Sequence, residues 1–173
     1  MKKRLVPTFE LAFEDPSECS GFLVWQITNL WQRRMKIVLD PIGLTHVQFL
    51  LLNALATMNK TIDKPITQMM LANNTNCDKM MVSKVLRLLE ERKYIMRKAH
   101  HLDTRSRSLL LTTKGMELIE KATPVFIKAE EDFFKSMKSK QKSMDKKFKK
   151  IIKTNRKALK NSLEENASES ESE

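Results

Sequence analysis

Apolar residues recur along this chain at helical spacing, in blocks separated by polar punctuation, and each block predicts an element. Asp15-Pro16-Ser17-Glu18 reads as a helix start, with Asp15 as N-cap, Pro16 at the first helical position and Glu18 at the capping-box position. The helix it opens carries Phe22, Leu23, Trp25, Ile27, Leu30, Trp31, Met35 and Val38 on more than one narrow stripe, so it should face two neighbours, one of them another subunit. Asp40-Pro41 ends it, because proline cannot continue the hydrogen-bond ladder. Thr45-His46-Val47-Gln48 is a second capping-box pattern, and Val47, Leu50, Leu51, Leu52, Leu55 and Ala56 should point inward from the helix behind it. After a polar break over 59–65, a short helix is predicted from Thr67 to Ala72, followed by a turn at Asn73-Asn74-Thr75-Asn76.

Thr75-x-x-Asp78 then opens a helix expected over 76–92, whose Val82, Val85, Leu86 and Leu89 form one clean apolar stripe. Tyr94–Lys98 and Ser108–Thr112 read as two short strands around a polar loop, His100 to Arg107. Thr112 should cap a long helix to about Met137, bent at Pro124, and a last helix is expected from Lys140 to Leu159 with Met144, Phe148, Ile151 and Ile152 on one face. The predicted fold class is mainly α with a small β hairpin.

A short helix, a turn, an amphipathic helix and a hairpin in that order make a winged helix-turn-helix, in which the second helix enters the major groove and the wing reaches an adjacent groove or the backbone. Asp78, Lys79, Met80, Met81, Ser83, Lys84 and Arg87 lie opposite the apolar stripe, where cations can meet phosphates and Met, Ser and Lys can meet base edges. Gln68 and Arg97 join this candidate DNA-binding set, and Arg105 and Arg107 sit where a long cation could enter a narrow minor groove.

From about Gly21 to Ile152 the chain resembles the MarR (multiple antibiotic resistance regulator) family of bacterial transcription regulators. The resemblance rests on GFLVWQITNLWQR (21–33), GLTHVQFLLL (43–52), TQMMLA (67–72) and DKMMVSKVLRLLEERKYIMR (78–97). Its most specific part is Asp103-x-Arg105 followed by LLLTTKG (109–115), the D-x-R…L-T-x-x-G pattern. The resemblance implies that Asp103 braces the wing through an ion pair and Arg105 reaches DNA. It also implies an obligate homodimer with intertwined first and last helices flanking a DNA-binding lobe at about 45–112. An aromatic or phenolic effector is implied too, for which Phe22, Trp25, Trp31 and Met35 are candidate lining residues, core or interface packing being the commoner fate of such side chains. Lys93 departs from the pattern, since most relatives carry glycine in the turn after the recognition helix.

Charge sharpens this picture. The 173 residues carry 32 Lys+Arg against 21 Asp+Glu, for a formal charge of +11. Twelve of the basic residues fall within 135–160 beside a single Asp, and nine within 79–107, so a polyanion, double-stranded DNA, is the expected partner. Residues 161–173, NSLEENASESESE, hold five Glu and no base and are expected to form a disordered acidic tail, as 1–15 forms an N-terminal arm and 16–160 one domain.

Few Gly and Pro and the absence of a long apolar run exclude a collagen-like chain and a membrane-spanning segment. Two distant cysteines and no recognisable leader fit a cytoplasmic protein. Catalysis has no foothold: GxxxxGK[ST], HExxH and GxSxG are all missing, and the expectation is a protein that is not an enzyme and uses no cofactor or metal. His100 and His101 adjoin on a strand end and would point apart, which suits no ligand set. Cys19 and Cys77, each expected in the first turn of a helix, are redox candidates. The combined expectation is a ligand-responsive repressor reading a pseudo-palindromic operator as a homodimer. The alternative is a charge-driven architectural or RNA-binding protein without sequence preference.

Overall fold

The computed structural model describes residues 15–99 and 107–170. Its helices are α1 (Ser20–Leu39), α2 (His46–Thr61), α3 (Gln68–Thr75), α4 (Lys79–Glu91), α5 (Thr113–Phe134) and α6 (Gln141–Ser170), and its strands are β1 (Ile95–Ala99) and β2 (Arg107–Leu111). The chain divides into two compact units, the first ending at Glu130 and the second beginning at Glu131. This division falls well before residue 160, because the last side chain of the buried core among the described residues is Ala129.

Capping chemistry explains most boundaries. Thr45 accepts from the Gln48 amide at 3.2 Å while the Gln48 side chain accepts from the Thr45 amide at 3.0 Å, so the expected capping box starts α2. The Asp15 carboxylate instead accepts from the Ser17 amide, two residues on, at 2.8 Å. That bond closes a tight 3-10 turn over Pro16–Glu18, and α1 starts afresh at Ser20 with Cys19 as its N-cap. Cys19 therefore precedes the first turn rather than occupying it. A second 3-10 turn, Asp40–Ile42, ends α1 at the expected proline.

The α3–α4 turn is shorter than expected. The Thr75 hydroxyl donates to the Leu71 carbonyl at 2.9 Å, which keeps Thr75 inside α3. Asn76, with φ 54°, makes the left-handed reversal, and the Asp78 carboxylate caps α4 by accepting from the Met81 amide at 2.9 Å. Cys77 consequently lies before α4, half-buried against the core, with its thiol donating to the Thr75 carbonyl at 3.7 Å.

Leu51, Leu52 and Leu55 of α2 pack with Leu71 of α3, Val82, Leu86 and Leu89 of α4 and Met35 and Leu39 of α1 into the core of the first unit. Phe49 and Met58 complete the inner face of α2, whereas Val47, Leu50 and Ala56 are only half-buried. β1 and β2 pair antiparallel from Ile95 opposite Leu111 to Ala99 opposite Arg107. The middle of β2 is also joined to the α2–α3 connection, where the Leu109 amide donates to the Ile66 carbonyl at 2.7 Å and Thr67 bridges Ser108.

The end of α4 is a Schellman motif: the Tyr94 amide donates to the Leu89 carbonyl at 2.9 Å and the Lys93 amide to the Glu90 carbonyl at 2.8 Å. The motif forces Lys93 to φ 62°, a region that glycine occupies without penalty. Lys93→Gly should therefore raise stability by about 0.5–1 kcal/mol, the relieved left-handed strain exceeding glycine's extra unfolded-state entropy. A lower urea midpoint for this variant would show that the lysine side chain stabilises the turn by more than the backbone strain.

In the second unit a 3-10 segment over Lys135–Lys140, with Lys138 at φ 44°, leads into α6. That helix continues to Ser170, through most of the segment expected to be a disordered tail. Leu163, Glu164, Glu165 and Ala167 are good helix formers, and residues 161–170 contain neither Gly nor Pro to stop the ladder. No single helix among the described residues is long and apolar enough to cross a membrane.

Candidate DNA-binding site

α4 has two faces of opposite character. Val82, Leu86 and Leu89 have no solvent exposure, while Lys79, Lys84 and Arg87 are exposed and Met80 is 79% exposed. Met80, Met81, Ser83, Lys84 and Arg87 line one shallow groove, which joins the expected base-reading and phosphate-reading side chains on a single surface. Asp78 stands at the N-terminal end of that surface but spends its carboxylate on the cap. Gln68 opens α3, directly after its Thr67 cap.

Arg97 does not join this surface. It lies in β1 with its side chain only 17% exposed, and its Nε sits 3.0 Å from a carboxylate oxygen of Glu90 on α4. The hairpin thus turns this cation back onto the recognition helix, where it ties β1 to α4. Pairing of residues seven apart across a helix-terminating turn follows no helical spacing rule, so nothing in the local pattern announces it. Arg107 begins β2 opposite Ala99, and Asp103, Arg105, His100 and His101 lie outside the described residues.

The base of the hairpin is clamped by Thr112. Its hydroxyl donates to the Lys93 carbonyl at 2.7 Å and accepts from the Gly115 amide at 3.0 Å, and its own amide donates to the Tyr94 carbonyl at 3.1 Å. Lys114 adds a bond to the Arg92 carbonyl at 3.1 Å and places its ammonium 4.8 Å from the Tyr94 ring centroid. Gly115 is required because a Cβ there would fall 2.1 Å from the Tyr94 carbonyl oxygen. The Thr-x-x-Gly spacing therefore holds the start of α5 against the turn that ends α4.

The four aromatic and sulfur side chains expected around an effector separate into two places. Phe22 stacks on Trp25 at 5.7 Å, and Trp25 is 62% exposed. Met35 is instead fully buried in the core, and Trp31 packs edge-on against His46 at 6.0 Å and Phe126 at 5.8 Å. They do not form one pocket, since the six residues from Trp25 to Trp31 rotate the helix by roughly 240°. The groove near α1 and the start of α2 is lined by other residues, including Arg33, Lys36, Thr45 and His46.

Sequence reasoning placed His46 in a capping turn and missed its aromatic partners. It stacks on Phe126 at 6.3 Å, and burial pushes its imidazole below the ordinary value. The folded value lies below the unfolded one of about 6.5, so this contribution to stability is complete above that pH and declines as pH falls through it. Between pH 7.5 and 5.5, conditions chosen to bracket about 6.5, the parent protein should lose more denaturant resistance than His46→Gln. Equal losses in the two proteins would remove His46 from the acid response. Among the described residues no three His, Cys, Asp or Glu side chains gather as a metal site.

A buried-stripe helix presented behind a short capped helix and followed by a two-stranded wing defines a winged helix-turn-helix, a DNA-binding class. No family model matches the chain. Over 110 residues it is 39% identical to the HTH-type transcriptional regulator YdcH of Bacillus subtilis (strain 168), spanning 64% of this chain and 74% of that protein. Its fold is similar to that of MepR from S. aureus in a DNA complex, with TM-score 0.70, 23% identity and coverage of 80% of this chain and 97% of that one. CouR from Rhodococcus jostii RHA1, bound to p-coumaroyl-CoA, gives TM-score 0.68 at 18% identity over 82% of this chain and 94% of its own. MarR from E. coli gives 0.61 at 17% identity over 87% and 98%. The chain belongs to the HTH-type transcriptional regulators, and its fold is that of MarR and MepR. It is a DNA-binding transcriptional regulator of the helix-turn-helix type.

Proposed function

We propose that the protein is a cytoplasmic repressor that binds a pseudo-palindromic operator as a homodimer, with α4 in the major groove and the wing beside it. The observation that carries this reading is the two-sidedness of α4, whose buried stripe leaves Lys79, Met80, Ser83, Lys84 and Arg87 together on the outer surface. Dimerisation is supported by α1, which leaves Leu23, Val24, Trp25, Ile27 and Leu30 exposed in a single chain. An apolar face of that extent is covered in solution, and a second copy supplies the matching surface.

Response to a small effector is part of the same reading. Arg33 lines the groove near α1 and the start of α2, beside an ion pair of Lys36 with Asp40, and can meet an anionic group of a ligand there; the fold neighbour CouR is described with p-coumaroyl-CoA bound. The experiment that tests the function is selection of duplexes from a random pool by the purified full chain, followed by sequencing. The expected product is a pair of inverted half-sites whose centres are about 10 base pairs, or one helical turn, apart. A bound pool without enriched sequence would instead favour a charge-driven architectural protein.

A further inference from the structure

α6 divides its residues between two rows. Met144, Phe148, Ile151, Ile152 and Leu159 form an apolar row, as expected for a helix that packs against a partner helix. Lys142, Lys146, Lys149, Lys153 and Lys157 form another, centred roughly 150° around the helix. Their spacings of four, three, four and four residues keep them in register, and all five are exposed. At 1.5 Å per residue the row is about 22 Å long, a length along which a duplex presents about thirteen phosphate charges.

We propose that this lysine row is a second DNA-contacting surface, running along the phosphate backbone independently of the groove read by α4. A merely solvated face would be built differently. α5 interleaves Lys114, Glu117, Glu120, Lys121, Lys128 and Glu130, whereas between 142 and 160 the only acidic residue of α6 is Asp145. Like charges three and four residues apart destabilise an isolated helix, so a row of one sign is opposed by the helix's own energetics unless a polyanion neutralises it. Lysine suits this task because its ammonium binds phosphate as a point charge, without the geometry that base reading demands. The occupant is duplex DNA rather than an anionic membrane: the chain binds DNA already, and both of its tryptophans lie in α1, leaving the apolar row of α6 without a tryptophan to seat it at a lipid interface.

The test is titration of the full chain and of a K146Q/K149Q/K153Q/K157Q variant on a random-sequence duplex of about 40 base pairs over a series of salt concentrations. Each lost phosphate contact removes about 0.9 from the slope of log K against log salt, so the slope should become shallower by at least about two. Affinity at about 0.1 M salt should fall at least about tenfold. Glutamine is a good helix former and removes the repulsion, so circular dichroism should find α6 intact. Lysine-to-arginine changes at the same four positions should keep the parent slope. An unchanged slope in the glutamine variant would overturn the proposal. So would intact DNA binding with lost binding to phosphatidylglycerol vesicles, which would make the row a membrane surface. A Lys84→Ala/Arg87→Ala variant measured alongside keeps the two readings separate: if its slope falls and that of the glutamine variant does not, α4 remains the DNA reader and only the lysine row is withdrawn.

Discussion

Gly115→Ala should lower the stability of the first unit by about 3 kcal/mol or more, at the upper end of what overpacking costs. The added methyl would lie 2.1 Å from the Tyr94 carbonyl oxygen and 3.2 Å from a methyl carbon of Leu111. A flexible side chain could swing aside from such a contact, but the Tyr94 carbonyl already accepts from the Thr112 amide, and the Thr112 hydroxyl donates to the Lys93 carbonyl beside it. To make room, the start of α5 would have to lift from the α4–β1 turn and break those bonds. Urea denaturation of the variant checks this, and an unchanged midpoint would mean that the turn yields without loss. DNA binding should fall along with stability, because the same turn sets the angle between α4 and the hairpin.

The second large effect is on binding alone. Replacing Lys84 and Arg87 together with alanine should weaken DNA binding about a hundredfold near physiological salt and reduce the salt slope by about two, whatever the sequence of the duplex. Both side chains are exposed on the outer face of α4 and neither supports the core, so the unfolding midpoint should barely move. Met80→Ala and Ser83→Ala should act differently, changing which base pairs are preferred by about 1–3 kcal/mol for a true base contact. If all of these substitutions produced the same sequence-independent loss, α4 would position the protein without reading bases.

What was legible in the sequence follows the range of the forces involved. The Thr45–Gln48 capping box, the stop at Pro41 and the Val82/Leu86/Leu89 stripe are set by residues within one or two turns of each other, and each lies where periodicity puts it. The sequence pattern opens α4 at 76 behind Thr75, whereas the helix starts at Lys79, because Asp78 is an equally competent cap three residues on. The choice fell to Asp78 once the Thr75 hydroxyl bonded back into α3, a competition invisible in a list of cap preferences.

The remaining differences come from partners distant in sequence or from faces that were not counted. Arg97 reads as one more free cation until the Schellman turn brings Glu90 against it. His46 has no local sign of its aromatic surroundings, since Phe126 lies eighty positions away. The separation of Trp25 from Trp31 was legible in helix geometry, because six residues cannot bring two side chains onto one face. Gly115 belonged to a recognisable motif, but its reason, the Tyr94 carbonyl, is a contact only the folded chain reveals.

The bond from the Leu109 amide to the Ile66 carbonyl, and the Thr67–Ser108 bridge beside it, make the middle of the hairpin part of the same cooperative unit as α2 and α3. In hydrogen exchange, the Leu109 amide should therefore be protected to the same depth as the amides of the core helices. On that expectation the middle of the wing opens only together with the helix-turn-helix. A displacement of α2 is then transmitted to the hairpin as to the far end of a rigid lever, and it reorients both DNA-facing elements in one movement.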